Sequence, residues 1–288
     1  MAQLGFIGFG AMGGPMVARL IAAGHGVRGC DLRAGRVELL AERGALPCKN
    51  PADTARGAEA LFLMLPGAEE VETALFGRGG AAEALEPGQV VADLGTTPPA
   101  ATKKIAGRLA EMGVELVDAP VSGGPAGAEE GALTVMAGGE LAAFEGILPY
   151  LETMAATVVR IGPSGHGQIA KIANQIVVAV NREAVAEALG FAGRAGADAR
   201  LVRRALLGGL AQSRVLDLEG EAMVYSAFHP RYRTAHLRKD LASVMAAAAE
   251  LGLTLPCTET VNALYGLPAG QPAGRKGNGK TPEKAPGR

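Results

Sequence analysis

The residues with the most evident chemistry lie near the start of the chain. Gly8-Phe9-Gly10-Ala11-Met12-Gly13 follows a short apolar run and precedes a helix-compatible one, the setting in which a backbone can wrap a pyrophosphate. Gly8 permits the tight turn, Gly10 the close approach and Gly13 the packing of a helix, whose first amides at Ala11 and Met12 face the anion. Asp31 ends the next strand-like segment, where a carboxylate accepts hydrogen bonds from adenosine ribose hydroxyls and opposes a 2′-phosphate. Arg33 offers such a phosphate a partner, so NAD(H) is only slightly favoured over NADP(H). Ser122-Gly123-Gly124 supplies a hydroxyl and two amides suited to a small carboxylate, although an ordinary glycine turn has the same composition. Lys171, Asn174 and Gln175 stand three and four positions apart, on one face of a helix. A lysine there can give a proton to a carbonyl oxygen as hydride reaches carbon, or withdraw it in reverse; a solvated polar stripe would show the same spacing.

These residues need a frame, and the sequence predicts one. Leu4–Ile7, Val27–Asp31, Ala60–Leu65, Gln89–Asp93 and Val114–Asp118 read as strands, with helices over Pro15–Ala23, Arg33–Arg43 and Pro98–Met112. Alternation of that kind predicts a mainly parallel sheet covered on both faces. A helix over Glu140–Met154 and a strand over Thr157–Ile161 follow. From Gly167 to Gly193 apolar residues recur with a helical period at Ile169, Ile172, Ala173, Ile176, Val180, Ala184, Ala188 and Phe191, and further helices are expected at Arg200–Leu207, Ala235–Leu251 and Pro256–Leu264. The expected organisation is an α/β Rossmann domain over residues 1–163, an all-α C-terminal domain over residues 164–268, and a tail over residues 269–288. That tail is rich in Gly, Pro and Lys/Arg with no aliphatic side chain larger than alanine; it reads as mobile, with a polyanion-binding extension as the alternative.

Composition narrows the partners. A net charge of -1 and a pI of about 6.5 call for neither nucleic acid nor an anionic membrane. No window approaches the ~18 apolar residues of a membrane span, and the amino terminus enters a strand with no signal-peptide pattern, so a cytoplasmic protein is expected. Cys30, Cys48 and Cys257 are isolated and read as buried small residues in a reducing compartment. The four histidines lack compact ligand spacing, and hydride chemistry without a metal is the simpler account. A nicotinamide-binding protein without turnover is the alternative of a different class.

The ordered motifs GFIGFGAMG, DAPVSGGPAGAEEG, GHGQIAKIANQ and KDL closely resemble the β-hydroxyacid dehydrogenase family over approximately Leu4 to Leu264. The resemblance implies that Gly8, Gly10 and Gly13 hold the cofactor, that the loop at Leu65 and Pro66 passes near it, and that Thr96 lies by the nicotinamide. It implies a substrate-carboxylate loop at Ser122, Gly123 and Gly124, a catalytic Lys171, a substrate-orienting Asn174, and a Lys239–Asp240 pair closing the cleft near cofactor and substrate. It also implies that a long helix beginning near Gly167 joins the domains and that the chain forms a homodimer or homotetramer acting on a small carboxylate-bearing semialdehyde or hydroxyacid. KIANQIVVAVN (171–181), ALLGGLAQSR (205–214) and Phe228-His229-Pro230 are more similar to semialdehyde-reducing members than to those acting on branched hydroxyacids, which tend to carry asparagine where this chain has Gln175. The chain departs from the family pattern at Gly95, often serine, and in its tail.

Overall fold

The computed structural model describes residues 1–225 and 235–266. Nine strands form one sheet: β1 (Gln3–Ile7), β2 (Gly26–Cys30), β3 (Leu46–Pro47), β4 (Ala60–Leu63), β5 (Val90–Asp93), β6 (Glu115–Asp118), β7 (Val121–Ser122), β8 (Leu133–Gly138) and β9 (Ala155–Gly162). Helices α1 (Gly13–Ala22), α2 (Ala34–Ala41), α3 (Pro51–Ala55), α4 (Ala68–Phe76), α5 (Pro99–Ala110), α6 (Gly124–Glu130) and α7 (Leu141–Glu152) connect them. The sheet order is β3-β2-β1-β4-β5-β6-β8-β7, with β9 paired to β8. All pairings from β3 through β6 are parallel, while β8 runs antiparallel to β6 and β7 and parallel to β9. Strand order reverses between β1 and β4, and such a switch point opens a crevice at the carboxyl ends of the strands.

The two-residue period of the strands divides the core into two layers. Leu4, Phe6, Ala60 and Phe62 pack on one face with Val17, Leu20, Phe144 and Ile147. Ile7, Leu61, Leu63 and Val91 pack on the other with Ile105 and Leu109. Phe6 and Phe62 stack with ring centroids 6.2 Å apart. Burial on both faces is what holds a parallel sheet, and the apolar runs of the sequence record it.

The chain forms two compact units, divided between Gln175 and Ile176. The division falls inside α8 (His166–Arg194), the 29-residue helix that runs from one unit into the other. The second unit continues with α9 (Ala199–Leu207), α10 (Arg214–Leu218), α11 (Gly220–Tyr225), α12 (Ala235–Glu250) and α13 (Pro256–Gly266). Ala179, Leu237, Leu241, Val261 and Tyr265 make one core there, and Val185, Leu189, Leu216 and Met223 a second. Arg182 forks onto the Glu219 carboxylate between α8 and the residue after α10. A Rossmann domain followed by a helical domain is therefore the observed architecture. Among the described residues no helix is long and apolar enough to cross a membrane.

One expectation is corrected. Cys30 is buried, but Cys48 is only half-buried and Cys257 is exposed. On α13 the buried positions are Thr258, Val261 and Tyr265, a helical stripe that position 257 falls outside. The tail and the Phe228-His229-Pro230 segment lie outside the described residues.

Candidate active site

The loops after β1, β4 and β5 are pressed together at the carboxyl edge of the sheet. Gly8 has a positive φ of 98°, and a Cβ there would lie 2.4 Å from the Met64 carbonyl oxygen. A Cβ at Gly13 would lie 2.0 Å from the Gly8 carbonyl oxygen, so α1 starts as close to the loop as a backbone allows. At Gly95, where the family pattern often has serine, a Cβ would lie 2.6 Å from the Leu65 carbonyl oxygen. Leu65 is half-buried, Pro66 exposed and Thr96 half-buried beside them.

The amino end of α1 carries no side-chain cap at Met12, which leaves a partly positive helix end behind Gly10 and Ala11. Asp31 ties this loop to β2. Its Oδ2 accepts from the Phe9 amide at 2.7 Å and its Oδ1 from the Arg33 amide at 2.8 Å. Arg33 thus meets Asp31 through its backbone. The guanidinium beside the carboxylate is that of Arg36, whose Nη1 lies 3.3 Å from Oδ2 and would be 3.6 Å from a Cβ on Gly10. A hydrogen-only surface at Gly8 and Gly13, an uncapped helix end and an acidic residue at the end of β2 fit a dinucleotide.

A second group surrounds Lys171. It lies one turn into α8, is 8% exposed, and donates from Nζ to the Val121 carbonyl at 2.8 Å. Val121 immediately precedes Ser122, which is half-buried in β7, and Gly123 and Gly124, which are exposed at the start of α6. Gln175 is buried on the same face of α8, and the half-buried Asn174 donates from Nδ2 to its Oε1 at 2.8 Å. The structure therefore joins the lysine face to the Ser122 loop. Lys239 is exposed and Asp240 half-buried on α12, in the second unit. No group of three or more His, Cys, Asp or Glu among the described residues is arranged to hold a metal ion.

Four residues beyond those read from the sequence belong here: Arg36, Asp93, Thr97 and Gln168. Asp93 and Thr97 are buried around the loop after β5, with Thr97 Oγ1 donating to Asp93 Oδ2 at 2.6 Å. An acid closing the apolar run Val90-Val91-Ala92 was the available signal. Gln168 carries none, since the partners of its side chain are more than seventy positions away. Asp118 ends β6 and accepts from the amides of Gly165 and Gln168 at the start of α8. Burial pushes its carboxyl up to about 6, against the two amide hydrogen bonds, with the neighbouring Asp93 charge adding to the rise.

Fold and loops together define a dinucleotide-binding oxidoreductase of the Rossmann type. Residues 3–162 match the family described as the NAD binding domain of 6-phosphogluconate dehydrogenase, and residues 165–280 that described as NAD-binding of NADP-dependent 3-hydroxyisobutyrate dehydrogenase. The chain belongs to the 3-hydroxyisobutyrate dehydrogenase-related family of β-hydroxyacid dehydrogenases, NAD(P)-dependent oxidoreductases acting on CH–OH groups. It is 41% identical to 2-hydroxy-3-oxopropionate reductase of Escherichia coli strain K12, covering 91% of this chain and 90% of that protein. To 2-(hydroxymethyl)glutarate dehydrogenase of Eubacterium barkeri it is 33% identical, over 91% and 88% of the two chains. The crystal structure of a 3-hydroxyisobutyrate dehydrogenase from Salmonella typhimurium superposes with a TM-score of 0.82 at 30% identity, covering 92% of this chain and 93% of that one.

Proposed function

We propose that this chain reduces 2-hydroxy-3-oxopropanoate, tartronate semialdehyde, to glycerate, with NADH favoured over NADPH. The observation that carries the reading is Lys171, a buried ammonium held 2.8 Å from the carbonyl of Val121 at the threshold of the Ser122-Gly123-Gly124 loop. A proton donor thereby adjoins the loop read as the carboxylate cradle, and the similarity to the Escherichia coli reductase selects the substrate.

In this reading the backbone of Gly8, Gly10, Ala11, Met12 and Gly13 holds the pyrophosphate and Asp31 the ribose hydroxyls, with Leu65, Pro66 and Thr96 along the nicotinamide half. The nicotinamide, when held there, would supply the hydride that reduces the aldehyde carbon. Ser122 and the amides of Gly123 and Gly124 fix the substrate carboxylate, and Asn174 and Gln175 orient its hydroxyl. Lys171 stabilises the negative charge that develops on the aldehyde oxygen and gives it the proton that completes the alcohol; solvent then reprotonates the amine. NADH is favoured because a 2′-phosphate would meet the Asp31 carboxylate, whose guanidinium partner Arg36 is already engaged. The enzyme is further proposed to work in the cytoplasm and, as the resemblance implies, as a homodimer or homotetramer.

The likeness to 3-hydroxyisobutyrate dehydrogenase structures supports a second reading, oxidation of a branched hydroxyacid by the same groups. The two separate at the substrate's side group. Polar donors left unpaired against a methyl group discriminate against it, so tartronate semialdehyde should give the higher kcat/KM against methylmalonate semialdehyde at matched NADH. A ratio favouring the methyl compound overturns the reductase reading.

A further inference from the structure

Thr96 is gripped at both of its neighbours, from two directions. Asp93 Oδ1 accepts from the Gly95 amide at 2.9 Å and Asp93 Oδ2 from Thr97 Oγ1. From the opposite side, the fully buried Gln168 donates from Nε2 to the Gly95 carbonyl at 2.9 Å and accepts at Oε1 from the Thr97 amide at 3.1 Å. Gln168 lies in the first turn of α8, three residues before Lys171. The same turn is bound to the end of β6, where Asp118 Oδ1 accepts from Gly165 at 2.7 Å and Oδ2 from Gln168 at 2.9 Å. Three residues beyond Asp118, Val121 receives the lysine. There is no slack in this arrangement: a Cβ at Gly167 would lie 2.4 Å from the Met136 carbonyl oxygen and 2.5 Å from that of Asp118.

The bonds close a circuit from the loop after β5, through the first turn of α8, to β6 and back to Lys171. A helix cap alone would need Asp118. It would not need a buried amide spending both its donor and its acceptor on the two peptides that flank Thr96. From this geometry we infer that Gln168 and Asp118 are positioning residues for the reductive step, setting the distance between the Thr96 loop and the lysine-bearing turn of α8. The inference rests on the proposed role of Lys171. Its consequence is specific, because displacement of a reacting group by about 1 Å can cost on the order of 100-fold in rate while the glycine cradle for the cofactor, built on β1 and α1, is untouched.

The experiment compares Gln168→Met, Gln168→Glu, Asp118→Asn and Lys171→Ala by NADH titration and by single-turnover reduction of tartronate semialdehyde. Gln168→Met, which keeps length and loses both side-chain hydrogen bonds while the backbone amide still donates to Asp118, is expected to bind NADH as the native protein does and to react roughly 10- to 100-fold more slowly. Asp118→Asn, retaining one acceptor of two, should fall in the same direction. In Gln168→Glu the protonated carboxyl can donate to Gly95 and accept from Thr97, and the flanking carboxylates of Asp93 and Asp118 favour that protonated form. Its rate relative to native should therefore be higher on the acid side of its profile than on the alkaline side. A side chain that only filled space would give no such rescue. Native single-turnover rates in both Gln168→Met and Asp118→Asn overturn the inference if Lys171→Ala is slow; a fast Lys171→Ala overturns the lysine reading itself. Where Gln168→Met does not fold, a Gln168→Glu deficit equal on both sides of the profile overturns the inference.

Discussion

Lys171 reaches its position because three different constraints converge on one side chain. Helical spacing puts it on the buried face of α8 with Gln175, the Val121 carbonyl holds its Nζ, and burial leaves it 8% exposed. Replacing it with alanine removes the proposed proton donor and leaves Gly8, Gly10 and Gly13 as they are. The expected result is near-native NADH binding with single-turnover reduction slowed on the order of 10²- to 10⁴-fold; a near-native rate in a variant that still binds NADH would mean that another group handles the proton. Lys171→Arg should be almost as slow, because a guanidinium keeps the charge but does not release a proton near neutral pH. Lysine, asparagine and glutamine at a helical interval made this face legible in the sequence. Gln168 sits on the same helix and was illegible, since nothing local distinguishes it and its side-chain hydrogen bonds cross 71 and 73 positions. Arg36 was obscured by Arg33, the nearer cation in sequence, which turns out to give Asp31 an amide.

Among the elements, the turn from β1 into α1 has the narrowest tolerance. Gly13→Ala ought to help α1 by up to about 1 kcal/mol of helix propensity, yet the added carbon would sit 2.0 Å from the Gly8 carbonyl. Backbone on both sides cannot yield as a flexible side chain would, and overpacking of this kind costs roughly 1–3 kcal/mol. The variant should melt at a lower temperature and bind NADH more weakly, as thermal unfolding and cofactor titration would show; an unchanged melting temperature would mean the turn relaxes freely. The strands β1, β4, β5 and β6 could be read in advance because each is a mainly apolar run closed by glycine, proline or aspartate, and β2, which contains Arg28, by its place between Gly24 and Asp31. So could α8, through its long period. The β7–α6–β8 excursion was less accessible: Val121–Ser122 is two residues long, and the antiparallel placing of β8 against β6 rests on a single pair, Asp118 with Gly138. The helix α4 did carry a signal, Gly67 at its cap and Glu69 and Glu70 in the first turn.

For the molecule as a whole, Asp118 gives stability a defined pH dependence. Its carboxyl is raised from an ordinary 3.8 to about 6, so the folded chain holds that proton more tightly than the unfolded chain does. Its contribution is therefore fully present below about pH 4, declines between about pH 4 and 6, and is absent above. The shift corresponds to roughly 3 kcal/mol. The groups around it are the Asp93 carboxylate from β5 and the amides of Gly165 and Gln168. Asp198, lowered to about 2 by its bonds to Arg200, acts in the opposite sense and in a more acid window. Denaturant unfolding of the native chain and of Asp118→Asn across this range should give a difference that tilts between about pH 4 and 6; parallel curves would place the proton elsewhere. The clasp between Asp31 and the Phe9 amide has a different consequence, in time. Because the chain's own bonds, including Gly8 amide to Cys30 carbonyl at 3.0 Å, already shape the cradle, an arriving dinucleotide has little loop ordering to complete. NADH and NADPH would then be captured at similar rates, and preference between them would be expressed as residence time, the disfavoured molecule leaving sooner rather than arriving later.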